Sequence, residues 1–170
     1  MLHIATHGFF FENREKTKRS LGDNQTQFTQ ADDPLLRSGL ILAGGNYTWL
    51  HSSNPYGDED GILTALEISN LDLKNTELVV LSACETGLGD IDGNEGVYGL
   101  QRAFKMSGVE SIIMSLWQVL DAETVEFMDL FYSTWFTGVS IREAFNTTQC
   151  RMQKKYAEEP FKWAAFVLVD

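Results

Sequence analysis

Cysteine, proline and basic residues are all scarce in this chain of 170 residues. It has 2 cysteines and 3 prolines, and its 13 lysines and arginines face 24 acidic residues, which gives a net charge of -11. Two cysteines do not settle the redox compartment, because a domain of this size can fold without disulfides. The negative charge argues against nucleic-acid binding, because that affinity depends on Lys and Arg neutralising phosphates. Basic peptides or basic protein surfaces are the more natural partners.

Long apolar runs and targeting signals are also missing. The longest runs, such as SIIMSLW at 111–117, are far too short to span a bilayer. The start, MLHIATHGFF, lacks a basic region, an apolar stretch and a cleavage site in the order of a signal peptide. We therefore expect a soluble, cytoplasmic protein with no membrane association. The chain opens directly on an apolar strand, so we also expect it to be part of a longer protein.

What is present predicts one α/β domain. The hydrophobic fraction of 44% and the aromatic fraction of 12% are enough for a real core. β-rich segments alternate with helical ones, which is typical of a mainly parallel sheet with helices on its faces. The predicted strands are Leu2–Thr6, Gly39–Ala43, Glu77–Ser82, Ser111–Leu116 and Ala165–Val169. The predicted helices are Val97–Met106, Asp121–Phe136 and one that begins after Ser140 and runs to about Tyr156. Segments 11–38 and 51–61 are polar and are interpreted as loops.

A histidine and a cysteine each follow one of the predicted strands. His7 comes after Leu2–Thr6 and Cys84 after Glu77–Ser82. Ligands of parallel α/β sheets bind beyond the carboxyl ends of the strands, so both residues are expected at the same sheet edge. An imidazole that generates a thiolate makes a nucleophile for acyl transfer, and the N–H groups of Gly8 and Cys84 are candidates for the oxyanion hole. The alternative is a buried, inert thiol and a histidine that is merely hydrogen-bonded.

Other kinds of site find less support. AGGN at 43–46 is not followed by the GK[ST] signature of a phosphate-binding loop. No Arg follows Cys84 closely enough to cradle a phosphate as in a cysteine phosphatase. No pair of Cys or His residues has the spacing of a structural zinc site, and the acidic run 58–60 is interpreted as solvated surface. No metal or cofactor is expected, and His3 and His51 have no partner pattern.

Several motifs together resemble one family. They are THG at 6–8, DGILTALEI at 60–68, LSACETG at 81–87, GNEGVYGLQRAF at 93–104, SIIMSLWQV at 111–119 and PFKWAAFVLVD at 160–170. In this order they resemble the CHAT family of caspase-like cysteine peptidases, and the resemblance covers nearly the whole chain. It implies a caspase-like three-layer α/β/α sandwich over residues 1–170, with His7 as general acid/base and Cys84 as nucleophile. The family's domain usually begins further upstream and follows TPR-type helical repeats, so the first strands are expected to be missing.

The resemblance also suggests how a substrate is selected. Trp117 and Asp121 stand in the pattern LWQVLD, which is similar to one in separase, where an acidic residue helps to receive a basic P1 side chain. Asp121, Trp117 and Glu123 are therefore candidates for the S1 pocket. Alternatively, the two carboxylates only favour the positive end of the following helix. The expected function is a cysteine endopeptidase that acts on protein substrates, and the alternative is a catalytically silent caspase-fold scaffold in a larger repeat-containing signalling protein.

Overall fold

A computed structural model of the protein describes residues 1–10, 34–45, 47, 60–82, 95–117 and 119–170. The strands in these ranges are β1 (Leu2–Ile4), β2 (His7–Phe10), β3 (Ser38–Ile41), β4 (Ile62–Thr64), β5 (Leu78–Leu81), β6 (Ser111–Ser115) and β7 (Phe166–Val169). The α-helices are α1 (Ala65–Ser69), α2 (Glu95–Met106), α3 (Asp121–Trp135) and α4 (Ile141–Lys155). Within the same ranges no helix is both long and apolar enough to cross a membrane.

The main sheet has the strand order β1-β5-β6-β7. β1 pairs with β5 and β5 with β6 in parallel, whereas β7 runs antiparallel to β6. Every residue of β5 and β6 is buried, which explains why both sequences are almost continuously apolar. The predicted mainly parallel sheet is confirmed, and the ends of these strands differ from the predicted ends by one or two residues.

Helices cover both faces of this sheet. Val79, Leu81, Ile112 and Met114 belong to one core cluster with residues of α1 and α2. Alternate residues of the same strands point the other way and share a second cluster with α3 and α4. In that second cluster the rings of Phe127 and Phe166 stack with their centroids 4.1 Å apart. The fold is therefore α/β with three layers, as predicted, and is consistent with a caspase-like sandwich.

A second, smaller sheet was not predicted. β2, β3 and β4 pair antiparallel in that order, with His7 opposite Ile41 and Gly39 opposite Thr64. The prediction that Gly39–Ala43 joins the parallel sheet was wrong, and so was the extension of the first strand to Thr6. β1 ends at Ile4, and the chain crosses to the second sheet before His7. Apolar patterning marks a segment as a strand but does not say which strand it pairs with.

The short helix α1 is stabilised by a complete capping box. The Thr64 hydroxyl accepts from the amide of Glu67 at 3.2 Å, and the Glu67 carboxylate accepts from the amide of Thr64 at 2.8 Å. Thr64→Ala is expected to lower the free energy of unfolding by about 1–2 kcal/mol, because Thr64 is buried and its loss leaves the amide of Glu67 without a hydrogen-bond acceptor. Urea unfolding measures this change. Thr64→Ser should restore most of the stability, and equal stability of the Ala variant would contradict the role of the cap.

Candidate active site

The carboxyl ends of β1 and β5 lie side by side. Ile4 is opposite Leu81 in parallel register, and the amide of Ser82 donates to the carbonyl of Ile4 at 3.1 Å. His7 follows Ile4 by the same number of positions (4 to 7) as Cys84 follows Leu81 (81 to 84). Cys84 belongs to segment 83–94, which lies outside the described residues, so no distance between its thiol and the imidazole of His7 is given. The dyad therefore stays a prediction.

His7 opens strand β2, and its side chain is exposed to solvent. The residue before it, Thr6, donates its side-chain hydroxyl to the carbonyl of Ile41. His7 itself is opposite Ile41 in the antiparallel pair of β2 and β3. The backbone of His7 is thus held by a neighbouring strand while its side chain is exposed.

The amide of Gly8 can be oriented from the strand pairing. Leu42 donates to the carbonyl of Gly61 at 2.7 Å, so the backbone groups of Leu42 face β4. Successive residues of a strand turn their backbone groups to opposite sides, and the backbone groups of Ile41 therefore face β2. Gly8 is one position away from His7, the partner of Ile41, so its N–H is directed away from β3.

Trp117 and Glu123, two of the three predicted S1 residues, both contact the segment that precedes β7. The indole N–H of Trp117 donates to the carbonyl of Phe161 at 3.0 Å. Asp121 is the first residue of α3 and is exposed to solvent. The alternative interpretation of Asp121, as a residue that favours the positive end of the helix, fits this position equally well. Gln118, which belongs to the same pattern, lies outside the described residues.

Glu123 differs from Asp121 in being buried and paired. One of its carboxylate oxygens lies 3.3 Å from the ammonium of Lys162, which also lies 3.0 Å from Glu159. The hydrogen bond to Glu159, with a smaller contribution from Glu123, raises the pKa of Lys162. Oε2 of Glu123 is buried and has no hydrogen-bond partner in the part of the chain that the structure describes. Since Lys162 already compensates its charge, Glu123 is less suited than Asp121 to receive a basic side chain.

His3 has partners that the sequence did not indicate. Its Nδ1 lies 2.8 Å from the hydroxyl of Tyr132, and its Nε2 lies 3.4 Å from the hydroxyl of Ser82. These partners are 129 and 79 positions away along the chain, so no local spacing reveals them. Ser82 is the last described residue before the segment that contains Cys84. The sequence shows that His3 stands in a predicted strand and does not show which residues it contacts.

The acidic run at 58–60 is described only at its last residue. Asp60 accepts from the amide of Ile62 at 2.8 Å, an interaction that shapes the entry into β4. Asp58 and Glu59 lie outside the described residues, as does His51. Among the residues that the structure describes, no group of three His, Cys, Asp or Glu side chains is placed to hold a metal ion.

Comparison with known proteins agrees with the motifs. The family model of the CHAT domain matches residues 1–170. Tetratricopeptide repeat protein 28 of Mus musculus is 32% identical over 112 residues, which is 64% of this chain and 4% of that protein. Tetratricopeptide repeat protein 28 of Homo sapiens is 31% identical over 109 residues, again 64% of this chain and 4% of that protein. The chain thus spans about 4% of the length of these curated relatives.

Proposed function

Because this chain belongs to the CHAT domain family, we propose that it is a cysteine endopeptidase that cleaves protein substrates with Cys84 and His7. The observation that carries the proposal is the pairing of β1 with β5. Ile4 and Leu81 are in register, and His7 and Cys84 follow them at equal distances along the sequence. The segments that follow two neighbouring parallel strands begin at the same edge of the sheet, which is where ligands of such sheets bind.

In the proposed reaction His7 takes the proton of the Cys84 thiol, and the thiolate attacks the scissile carbonyl carbon. The C–S bond forms while the carbonyl oxygen gains negative charge. The C–N bond then breaks, and the imidazolium of His7 gives its proton to the leaving amine. Water attacks the resulting thioester with His7 as the base, and the acid product leaves as the Cys84 thiol is restored. No cofactor or metal enters this scheme.

The tetrahedral intermediate needs hydrogen-bond donors, which we assign to the amides of Gly8 and Cys84. The support for Gly8 is its N–H, which the strand alternation turns away from β3. A donor that is fixed by a strand needs no reorganisation when the oxyanion forms, and this pre-organisation is what makes such sites effective.

The proposed substrate has a basic residue at P1, and Asp121 is the carboxylate that receives it. Asp121 is exposed, so an ion pair there contributes up to about 1 kcal/mol, or about fivefold in kcat/KM. Asp121→Ala is therefore expected to lower kcat/KM about fivefold for peptides with Arg or Lys at P1 and to leave peptides with an apolar P1 unchanged. Glu123→Gln is the matched control on the same helix turn, because its charge already faces Lys162. Unchanged preference in Asp121→Ala would show that this residue only favours the positive end of the helix.

The proposal also covers the surroundings of the domain. Two relatives are tetratricopeptide repeat proteins by name, and we infer that the parent chain carries TPR-type helical repeats upstream of a single CHAT domain over 1–170. We place the protein in the cytoplasm, where a catalytic thiol stays reduced.

A positional peptide library incubated with the full-length parent chain tests the function. We expect the wild type to cut a restricted set of peptides and Cys84→Ala to cut none. If the wild-type parent chain, with its repeats and a protein partner present, cuts no peptide of the library, the scaffold function is favoured instead.

A further inference from the structure

A chain of three side chains connects helix α3 to the end of strand β5. The hydroxyl of Tyr132, on α3, lies 2.8 Å from Nδ1 of His3, on β1. Nε2 of His3 lies 3.4 Å from the hydroxyl of Ser82, the residue directly after β5. The three residues come from three different elements, so this arrangement depends on the tertiary fold.

The sheet explains why His3 faces α3. His3 is opposite Val80 in the parallel register, and Val80 belongs to the core cluster on the side of α3 and α4. The neighbouring residue Ile4 packs against the cluster on the opposite face. Because side chains alternate along a strand, the imidazole of His3 is directed to the α3 side by the same pattern that directs Ile4 to the other core.

Tyr132 is a firm partner for His3. Its ring packs edge-on against Phe131 with centroids 5.2 Å apart and stacks on Phe136 at 5.9 Å. The rings of His3 and Tyr132 are themselves in contact, with centroids 5.8 Å apart. These ring contacts restrict the movement of the phenol, so its hydroxyl stays within hydrogen-bond distance of the imidazole.

Both ring nitrogens of His3 have a hydroxyl partner. Desolvation lowers the pKa of His3 and raises the pKa of Tyr132, so both groups are neutral at neutral pH. A neutral imidazole has one donor and one acceptor. One ring nitrogen therefore donates to its hydroxyl partner and the other accepts from its own, and the tautomer of His3 decides which does which.

We propose that His3 is a positioning residue that anchors Ser82 to α3 and thereby sets where the chain leaves β5, two positions before Cys84. The proposal rests on the proposed peptidase function. Ser82 is held twice, through its amide to the carbonyl of Ile4 at 3.1 Å and through its hydroxyl to His3. Two hydrogen bonds fix the position of Ser82, and Cys84 follows it by two residues. The position of the thiol then depends on these bonds, and small displacements of reacting groups reduce turnover strongly. His3 contacts neither substrate nor thiol in this scheme, and its effect passes through Ser82.

His3→Phe is the first test, in the full-length parent chain. Phe keeps a ring beside Tyr132 but makes neither hydrogen bond. We expect kcat to fall about tenfold with KM unchanged, because positioning affects the reacting geometry and not binding. His3→Gln, whose amide can still donate to Ser82, should restore kcat to within about twofold. Ser133→Ala is the control on the same helix, because its hydroxyl donates to the carbonyl of Leu130 within that helix.

Ser82→Ala completes the set. If His3 acts through Ser82, this variant should lose as much kcat as His3→Phe, and the double variant should be no slower than either single one. Additive losses, or a change in KM with kcat intact, would overturn the proposal.

Amide hydrogen exchange at Ser82 tests the anchor without catalysis. We expect exchange about tenfold faster in His3→Phe than in the wild type, with no change in Ser133→Ala. Equal exchange in His3→Phe and wild type would overturn the anchor. A wild type that cuts no peptide would overturn the peptidase function alone, and faster exchange in His3→Phe would still support the anchor in that case.

Discussion

Cys84→Ala is expected to lower kcat for peptide cleavage by at least about 10⁴-fold, because loss of the nucleophile removes the acyl-enzyme route altogether. Cys84→Ser should be almost as slow, since a hydroxyl stays protonated where a thiol ionises. The measurement is steady-state cleavage of the best library peptide by the full-length parent chain. Folding of each variant is checked by urea unfolding, so that a collapsed structure is not mistaken for a lost nucleophile.

Cys150 provides the matched control for this experiment. It is the free cysteine among the described residues, lies on α4 and is exposed. It therefore reacts with general thiol reagents, but it is remote in sequence from the ends of β1 and β5. Cys150→Ala should retain full activity. Activity that survives in Cys84→Ala, or that disappears in Cys150→Ala, would contradict the assignment of the nucleophile.

His7→Ala is expected to lower kcat by about 10²–10⁴-fold at neutral pH, the usual contribution of a general acid/base. The pH dependence supplies a second signature. If His7 stabilises the thiolate of Cys84 it lowers the pKa of that thiol, and the wild type is then expected to react with iodoacetamide at lower pH than His7→Ala. Without the imidazole, the alkylation rate of Cys84 should rise only at higher pH, where the thiol ionises unaided.

The alkylation profile of Cys84 in wild type and His7→Ala is measured by quenched labelling followed by peptide mapping. Cys150, which is free and exposed, is labelled in the same samples as the internal reference. Identical profiles for Cys84 in the two proteins would show that His7 does not act on the thiol. His7 is exposed and precedes a glycine in an outer strand, so its replacement is expected to leave folding intact.

The centre of the main sheet was predictable because β5 and β6 are buried on both faces. A strand in that position must be apolar at every residue, and LVVL in β5 and SIIMS in β6 meet this condition locally. Helices α3 and α4 were equally visible, since each combines an apolar periodicity with a marked start or stop. For α4 the hydroxyl of Ser140 accepts from the amide of Glu143 at 3.2 Å, as its place in the sequence predicts.

Pairing over long distances was not predictable. β2 and β3 pair although segment 11–37 separates them in the sequence. Each strand has four residues, and a strand that short has no sequence pattern that identifies the strand it pairs with. Helix α1 is too short for a periodicity, although Thr64 and Glu67 already have the spacing of a capping box. The same limit applied to the site. His7 is recognisable beside its strand, whereas the contacts of His3 with Ser82 and Tyr132 exist only in the folded chain.

Covalent labelling is the sharpest test of whether Cys84 is an activated nucleophile. The full-length parent chain is treated with a peptidyl acyloxymethyl ketone that carries the preferred P1 residue, and the adduct is mapped by mass spectrometry. We expect one adduct, on Cys84, which is absent in Cys84→Ala and forms more slowly in His7→Ala. An adduct on Cys150 instead, or labelling that persists unchanged in Cys84→Ala, would contradict it.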